Sequence, residues 1–210
     1  MADFRRISDA VKAGNASKVK ELVQATIDAG VDPVDIVNDA LIVGMGEIGE
    51  LFKNNKIYVP EVLIAARAMQ AGLTLLKPLL VDKDVKPVAK VAIGTVKGDL
   101  HDIGKNLVAM MMEGAGMEVI DLGVDVAPEE FVNAVKTHDV DIVAMSALLT
   151  TTMPYMEKTI EALEDAGLRD QVKVMIGGAP VTQDFADEIG ADGYSSDAAS
   201  AAELAKTLVK

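Results

Sequence analysis

One loop concentrates the side chains of this sequence that could do chemistry: Gly98-Asp99-Leu100-His101-Asp102-Ile103-Gly104, between an apolar run at 88–95 and a helical pattern at 105–113. An imidazole between two acids can move a proton or ligate a metal, and a carboxylate on one ring nitrogen decides which nitrogen stays free. The loop falls where a first strand would end. In an open parallel sheet that carboxyl edge is where ligands bind.

Three chemistries compete for the loop. Gly98 and Gly104-Lys105 flank a stretch one residue too long for a phosphate-binding P-loop, and Asn106 stands where Ser or Thr would hold magnesium. Catalytic zinc wants three protein ligands. The only other histidine, His138, ends the second crossover helix at the opposite end of the sheet, where it reads as a solvated helix-end residue; a carboxylate-rich zinc site around His101 stays open but weak. A phosphorylated receiver wants acids ending its first and third strands, and here those strands end Gly94-Thr95 and Met145-Ser146. What remains is Asp99 accepting the proton of one imidazole nitrogen while the other ligates a metal. One protein ligand cannot hold a bare ion, which favours a metal carried in a macrocycle with the protein at one axial position.

Around this loop, 210 residues of which half are hydrophobic supply one large or two small domains with ample core. Lys+Arg 20 against Asp+Glu 33 gives a formal charge of -13 and disfavours non-specific binding to nucleic acid or anionic membrane. The absence of cysteine removes disulfides, thiolate metal sites and a cysteine nucleophile, and fits a cytoplasmic protein. The first residues lead into an amphipathic segment, and no run reads as a membrane span, so the expectation is a soluble, unexported chain.

Residues 2–80 have helical periodicity, with breaks at Gly14-Asn15, Gly30-Val31-Asp32-Pro33 and Asn54-Asn55-Lys56, which predicts an antiparallel bundle of about four helices over 1–84. On its last long helix the apolar face reads Val62, Leu63, Ala66, Met69, Leu73 and Leu76. Gly44-Met45-Gly46-Glu47-Ile48-Gly49 is a literal G-x-G-x-x-G, but it lies inside a helical run with no strand before it, so close helix approach is the better account of its glycines. The charged stretch 81–87 separates this part from 88–210. There, apolar runs at 88–95, 117–122, 140–146, 172–176 and 193–194 alternate with helical patterns at 102–115, 128–138, 154–166, 182–189 and 198–208. That rhythm predicts a five-stranded parallel sheet of flavodoxin/Rossmann-like α/β type, order 2-1-3-4-5, with its site at the ends of the first and third strands.

Asp99-x-His101-x-x-Gly104, then forty-one residues to Ser146-x-Leu148, then twenty-eight to Gly177-Gly178, resembles the D-x-H-x-x-G, S-x-L, G-G signature of cobalamin-binding domains that detach the benzimidazole tail from cobalt. The preceding bundle is similar to the helical cap of cobalamin-dependent methionine synthase and of the corrinoid proteins of methanol, methylamine and aryl methyl ether methyltransferase systems.

The resemblance implies His101 as the cobalt axial ligand, Asp99 as its orienting acid and Thr152 as the hydroxyl extending that relay. It implies Ser146 bonding the displaced benzimidazole, Leu148 packing on it, and Gly98, Gly104, Gly177 and Gly178 leaving room for the tail, with Leu100 and Asp102 in the same loop. Thr150, Tyr194 and Ala198 are further tail contacts, and Phe52 and Val59 match positions that cover the other cobalt face, where Asn38 stands in place of an acid. It further implies a carrier that takes a methyl group from a donor-side methyltransferase and gives it to an acceptor-side one, with a reductive activator, and a cap that swings about a hinge in 81–87. The alternative is a cobalamin-dependent sensor. A DNA-binding version would need a basic patch, and photoreceptor relatives use a tryptophan that this sequence lacks. A mutase cofactor subunit would not carry the cap.

Overall fold

A computed structural model describes residues 4–81 and 86–210. Most of the proposed hinge, residues 82–85, lies outside the described residues. The chain divides into two compact units, Met1–Pro87 with Gly114–Gly116, and Val88–Glu113 with Met117–Lys210.

The first unit is helical: α1 Phe4–Lys12, α2 Ala16–Asp28, α3 Pro33–Ile36, a π-helical turn Val37–Leu41, α4 Ile42–Lys53 and α5 Val59–Val81. Caps fall where the turn residues stand: Asn15 accepts from Lys18 N, and Asp32 accepts from Val34 N with Pro33 at the first helical position. The core is built from Ile7, Val11, Val19, Val23, Leu41, Met45 and Ile48 with a stripe of α5. That stripe differs from the sequence reading. Val62, Ala65, Ala68, Met69 and Leu76 are buried, whereas Leu63, Ala66 and Leu73 are half-buried. The reason is close packing: a Cβ on Gly72 would lie 2.9 Å from Val19 Cγ1 and 3.1 Å from Leu41 Cδ2, so the small residues of α5 face its neighbours. By length and composition Val59–Leu80 is apolar enough to cross a membrane, which corrects the expectation that no run qualifies. The buried stripe shows what much of that apolarity serves, since a central bundle helix has the same composition.

The G-x-G-x-x-G lies within α4, without a preceding strand. A Cβ on Gly44 would meet Ser8 O at 2.9 Å and Val11 Cβ at 3.0 Å, while at exposed Gly46 nothing lies within 4 Å. Between them and Ile48, Glu47 receives Arg5 at 2.7 Å and Lys12 at 2.6 Å, tying α1 to α4. The Lys12 hydrogen bond holds the Glu47 carboxyl below its usual range, against the upward effect of burial.

The second unit contains β1 Lys90–Val96, α6 Ile103–Gly114, β2 Glu118–Val126, α7 Pro128–His138, β3 Ile142–Ser146, α8 Pro154–Asp165, a 3-10 turn Arg169–Gln171, β4 Lys173–Gly177, α9 Gln183–Glu188, β5 Gly193–Ser195 and α10 Ala198–Leu208. The sheet is wholly parallel, in the order β2-β1-β3-β4-β5, as the alternating pattern predicts. One face is filled by Val96, Met145 and Ile176 packed with Phe131, Met156, Ile160 and Leu163 of α7 and α8. Gly94 belongs to this face because a Cβ there would lie 2.8 Å from Phe131 Cζ.

β2 runs four residues beyond the apolar run 117–122. Its register with β1 slips between Ile93 and Gly94 and again between Gly94 and Val96, and Gly123 (φ 89°) and Asp125 (φ 55°) adopt left-handed backbone there. Such bulges hide the alternation that a strand shows in sequence.

The two glycines of the α4 motif should respond oppositely to alanine. Gly44→Ala is expected to destabilise the protein by about 1–3 kcal/mol through overpacking on α1. Gly46→Ala should be neutral or stabilise it by up to about 1 kcal/mol through helix propensity. Urea unfolding of both variants measures this; equal effects would contradict the close-approach account.

Candidate functional site

β1 delivers the loop 97–102 to the carboxyl edge of the sheet, and the Asp99 N–H closes it on Val96 O at 3.1 Å. Asp99 is fully buried (0 % exposed). Its Oδ1 accepts from the His101 backbone N–H at 3.1 Å and faces His101 Nδ1 at 2.7 Å. Its Oδ2 accepts from Leu148 N at 2.8 Å, Leu149 N at 3.2 Å and Thr152 Oγ1 at 2.9 Å. Burial alone would push the Asp99 carboxyl up, but the Leu148 N–H, both His101 groups and the Thr152 hydroxyl together hold it well below the usual carboxylate range.

An ionised Asp99 can only accept, so in the neutral His101 ring Nδ1 carries the proton and Nε2 keeps its lone pair. The His101 side chain is 52 % exposed. Thr152 Oγ1 also lies 2.8 Å from Leu149 O, and with one proton for two acceptors the charged carboxylate holds it. The result is one oriented ring with one free nitrogen.

The strand register supplies the rest. Thr95 pairs with Ser146, Ser146 with Gly177 and Gly177 with Ser195, so one row of small residues crosses four strands at the carboxyl edge. This row faces away from the α7 and α8 cluster, because side chains alternate along each strand. Ser146 is half-buried, and its hydroxyl has no hydrogen-bond partner among the described residues. Gly178 (φ 131°) has no room for a side chain, since a Cβ would collide with the Ala147 carbonyl, and a Cβ on Gly177 would lie 3.1 Å from Ser195 O. Gly98 (φ 82°) supplies a left-handed turn, and around Gly104 nothing lies within 4 Å of a built Cβ.

The fold thus brings together Asp99, His101, Thr152 and the Leu148 backbone, with Gly98, Leu100, Asp102 and Gly104 in the same loop. Leu148 is exposed, Thr150 is exposed in the following turn, and Ala198 is buried as the first residue of α10. Tyr194 belongs to the other face, packed against the α7 and α8 cluster in register with Ile176; Ser195 holds the place on the row. Phe52, on the last turn of α4, and Val59, first in α5, are half-buried in the first unit, where Asn38 is exposed. His138 is exposed at the end of α7, and no cluster of three metal-binding side chains occurs among the described residues.

Three residues of this neighbourhood escape the sequence reading. Thr95, fully buried, donates its hydroxyl to His101 O at 2.8 Å. Lys105 is only 2 % exposed and reaches both oxygens of Asp121 on β2, at 2.6 and 2.7 Å, and Asn106 Oδ1 at 2.7 Å. An ammonium in the first turn of a helix opposes the helix dipole, and the Asp121 carboxylate offsets it. Asp125 accepts from Gly98 N at 2.7 Å. A threonine ending an apolar run is a faint signal for the first; the others act across the fold and leave none.

A doubly wound sheet with an oriented histidine at its switch point is the architecture of a cofactor-binding domain. Comparisons with known proteins agree. A model described as a B12 binding domain matches residues 89–203, more than half of the chain, and a second B12 binding domain model matches residues 3–77. The chain belongs to the B12-binding family, and its cofactor is a cobalamin-type corrinoid. It is 46 % identical over 192 residues to trimethylamine corrinoid protein 2 of Methanosarcina mazei, covering 90 % of this chain and 88 % of that one. It is 44 % identical over 194 residues to dimethylamine corrinoid protein 1 of Methanosarcina acetivorans, covering 90 % and 91 %. Among solved structures it is similar to the methanol:cobalamin methyltransferase complex from Methanosarcina barkeri, with TM-score 0.88, 34 % identity and coverage of 98 % of this chain and 79 % of that one. A cobalamin-binding protein from Desulfitobacterium hafniense gives TM-score 0.82 at 32 % identity over the whole of both chains.

The residues fit such a group: a half-exposed imidazole with one nitrogen uncommitted, exposed Leu100 (73 %) and Ile103 (75 %) on either side of it in the loop, a Ser146 hydroxyl with no partner among the described residues, and a row without bulk.

Replacing Asp99 by Asn removes acceptors from buried donors and should cost about 2–3 kcal/mol of stability near neutral pH. The Asp99 carboxyl is depressed in the folded state, so its contribution is present above its ordinary value of 3.8 and lost as pH falls below that. Urea unfolding of the two proteins should therefore show a gap near neutrality that narrows under acid; a gap independent of pH would contradict an ionised Asp99.

Proposed function

We propose that this protein is a corrinoid methyl carrier: it binds cobalamin with the tail base displaced and His101 as axial ligand, and passes a methyl group between a donor-side and an acceptor-side methyltransferase. The observation that carries the reading is the His101 ring, its Nδ1 committed to buried Asp99 at 2.7 Å and its Nε2 left free at the surface. When bound, the corrinoid cobalt supplies the nucleophile and the leaving group of methyl transfer.

The chain supplies ligation, room and orientation. Asp99 fixes the tautomer that leaves Nε2 open to a metal, and Thr152 restrains the carboxylate from its other oxygen. Ser146 is assigned to the displaced base, Leu148 to its face, and Gly177 and Gly178 to clearance for the tail, with Thr150 and Ala198 at its margins. Tyr194, packed on the other sheet face, supports β5. Phe52 and Val59 are assigned to the cofactor's other face on the family resemblance.

The trimethylamine and dimethylamine corrinoid proteins cover nearly the whole chain, which supports methyltransferases as partners and methylamines as first donors to test. A reductive activator belongs to the same proposal. The sensor alternative gains no support from these relatives.

Purified protein reconstituted with hydroxocobalamin, reduced and mixed with methyl donors and candidate methyltransferases should show a cobalt absorbance change with one donor–enzyme pair. Silence with every pair would favour the sensor. His101→Ala should still take up cofactor through the tail slot but give the spectrum of a form without histidine ligation; a spectrum matching the parent would reject His101 as ligand.

A further inference from the structure

Asp125 is absent from the motif that marks the site, yet it bonds the backbone on both sides of the Gly98–Asp99 peptide. It lies near the end of β2, beyond two slips in register with β1, and its backbone is left-handed, with φ 55°. Non-glycine residues in that region carry strain and persist where surrounding contacts over-determine them; Asp and Asn tolerate it best. The contacts here are reciprocal. Asp125 Oδ1 accepts from Gly98 N at 2.7 Å, and the Asp125 N–H donates to Asp99 O at 2.9 Å. One residue therefore takes the donor on one side of the Gly98–Asp99 peptide and the acceptor of the residue that follows.

We infer that Asp125 is a positioning residue for the His101 ring: by clamping residues 98 and 99 it aims the Asp99 carboxylate at Nδ1, and so sets how fully Nε2 is offered as a ligand. Gly98, at φ 82°, is the most permissive hinge in the loop and has no side chain to hold it. The Asp99 carboxylate is held from inside the fold by Leu148, Leu149 and Thr152. Those bonds fix Oδ2, and the Asp99 N–H is held by Val96 O; the two flanking backbone groups, the Gly98 N–H and the Asp99 carbonyl, are held from the outside, where Asp125 stands. The use made of Nε2 rests on the corrinoid reading; the clamp itself does not.

Three variants separate the acceptor from the strained backbone. Asp125→Asn keeps an acceptor oxygen and a tolerated left-handed backbone; Asp125→Gly relaxes the backbone and deletes the acceptor; Asp125→Ala deletes the acceptor and keeps the strain. The readout is the His101 tautomer ratio in the apo chain, from nitrogen NMR of the labelled ring at one fixed alkaline pH. The parent and D125N should hold the Nδ1–H form. In D125G and D125A the ratio should move toward Nε2–H by about fivefold, the scale of one hydrogen bond. The second readout, on protein loaded with hydroxocobalamin and reduced to cobalt(II) by a mild one-electron reductant, is the nitrogen splitting in the electron paramagnetic resonance spectrum, which should weaken in D125G and recover in D125N. A D125G ratio equal to the parent's overturns the proposal, as does a D125N protein that behaves like D125G. Because the tautomer is read without cofactor, it decides the matter even where cobalamin uptake by the parent fails and the corrinoid reading falls with it.

Discussion

A carboxylate with no solvent exposure is held ionised at the centre of this site, and the surrounding geometry is what makes that tolerable. Burying a charge is costly unless every lone pair finds a donor. Asp99 finds its donors in two places far apart in sequence: the loop after β1 and the turn after β3. The sheet order that sets β3 beside β1 is therefore a requirement of the site. Without that neighbour Oδ2 would lose three donors, and the imidazole would lose the partner that tells its nitrogens apart.

From that constraint follows a division of labour across the sheet. The α7 and α8 face is filled with large apolar side chains, while the row Thr95, Ser146, Gly177 and Ser195 keeps bulk off the carboxyl edge. Alternation along a strand lets adjacent residues serve opposite ends: Tyr194 packs the core and Ser195 lines the row. Bulk stays where stability needs it, and space stays where a ligand needs it.

Much of this was legible in the sequence, for identifiable reasons. The helix-to-sheet transition shows in the change of period, and strand order follows from alternating elements with short connections. Asp99 and His101 stand out as chemically distinctive side chains two residues apart, Thr152 enters through the family resemblance, and the three converge in the structure. The positions missed share a different property. Thr95, Lys105 and Asp125 act on a backbone carbonyl, on a carboxylate of a neighbouring strand and on backbone amides, respectively. Partners of that kind are made by folding and leave no spacing to count. The end of β2 is illegible in the sequence for a related reason, since Gly123 and Asp125 interrupt the alternation that marks a strand. On α5 the apolar face read by hydrophobicity differs from the face that packs, where Ala65, Ala68 and Gly72 are buried, because hydrophobicity ranks side chains by size and close helix approach ranks them in reverse.

The slipped register of β2 has one more consequence. Among the described residues β2 lies at the margin of the sheet, paired with β1 on one side only. A regular outer strand would offer a row of unpaired amides and carbonyls to any other extended chain. The two bulges and the left-handed residues Gly123 and Asp125 break that row into pieces with the wrong spacing, and the ion pair of Lys105 with Asp121 adds charge beside it. The irregularity that lets Asp125 reach the histidine loop also makes this margin a poor template for stray strand addition.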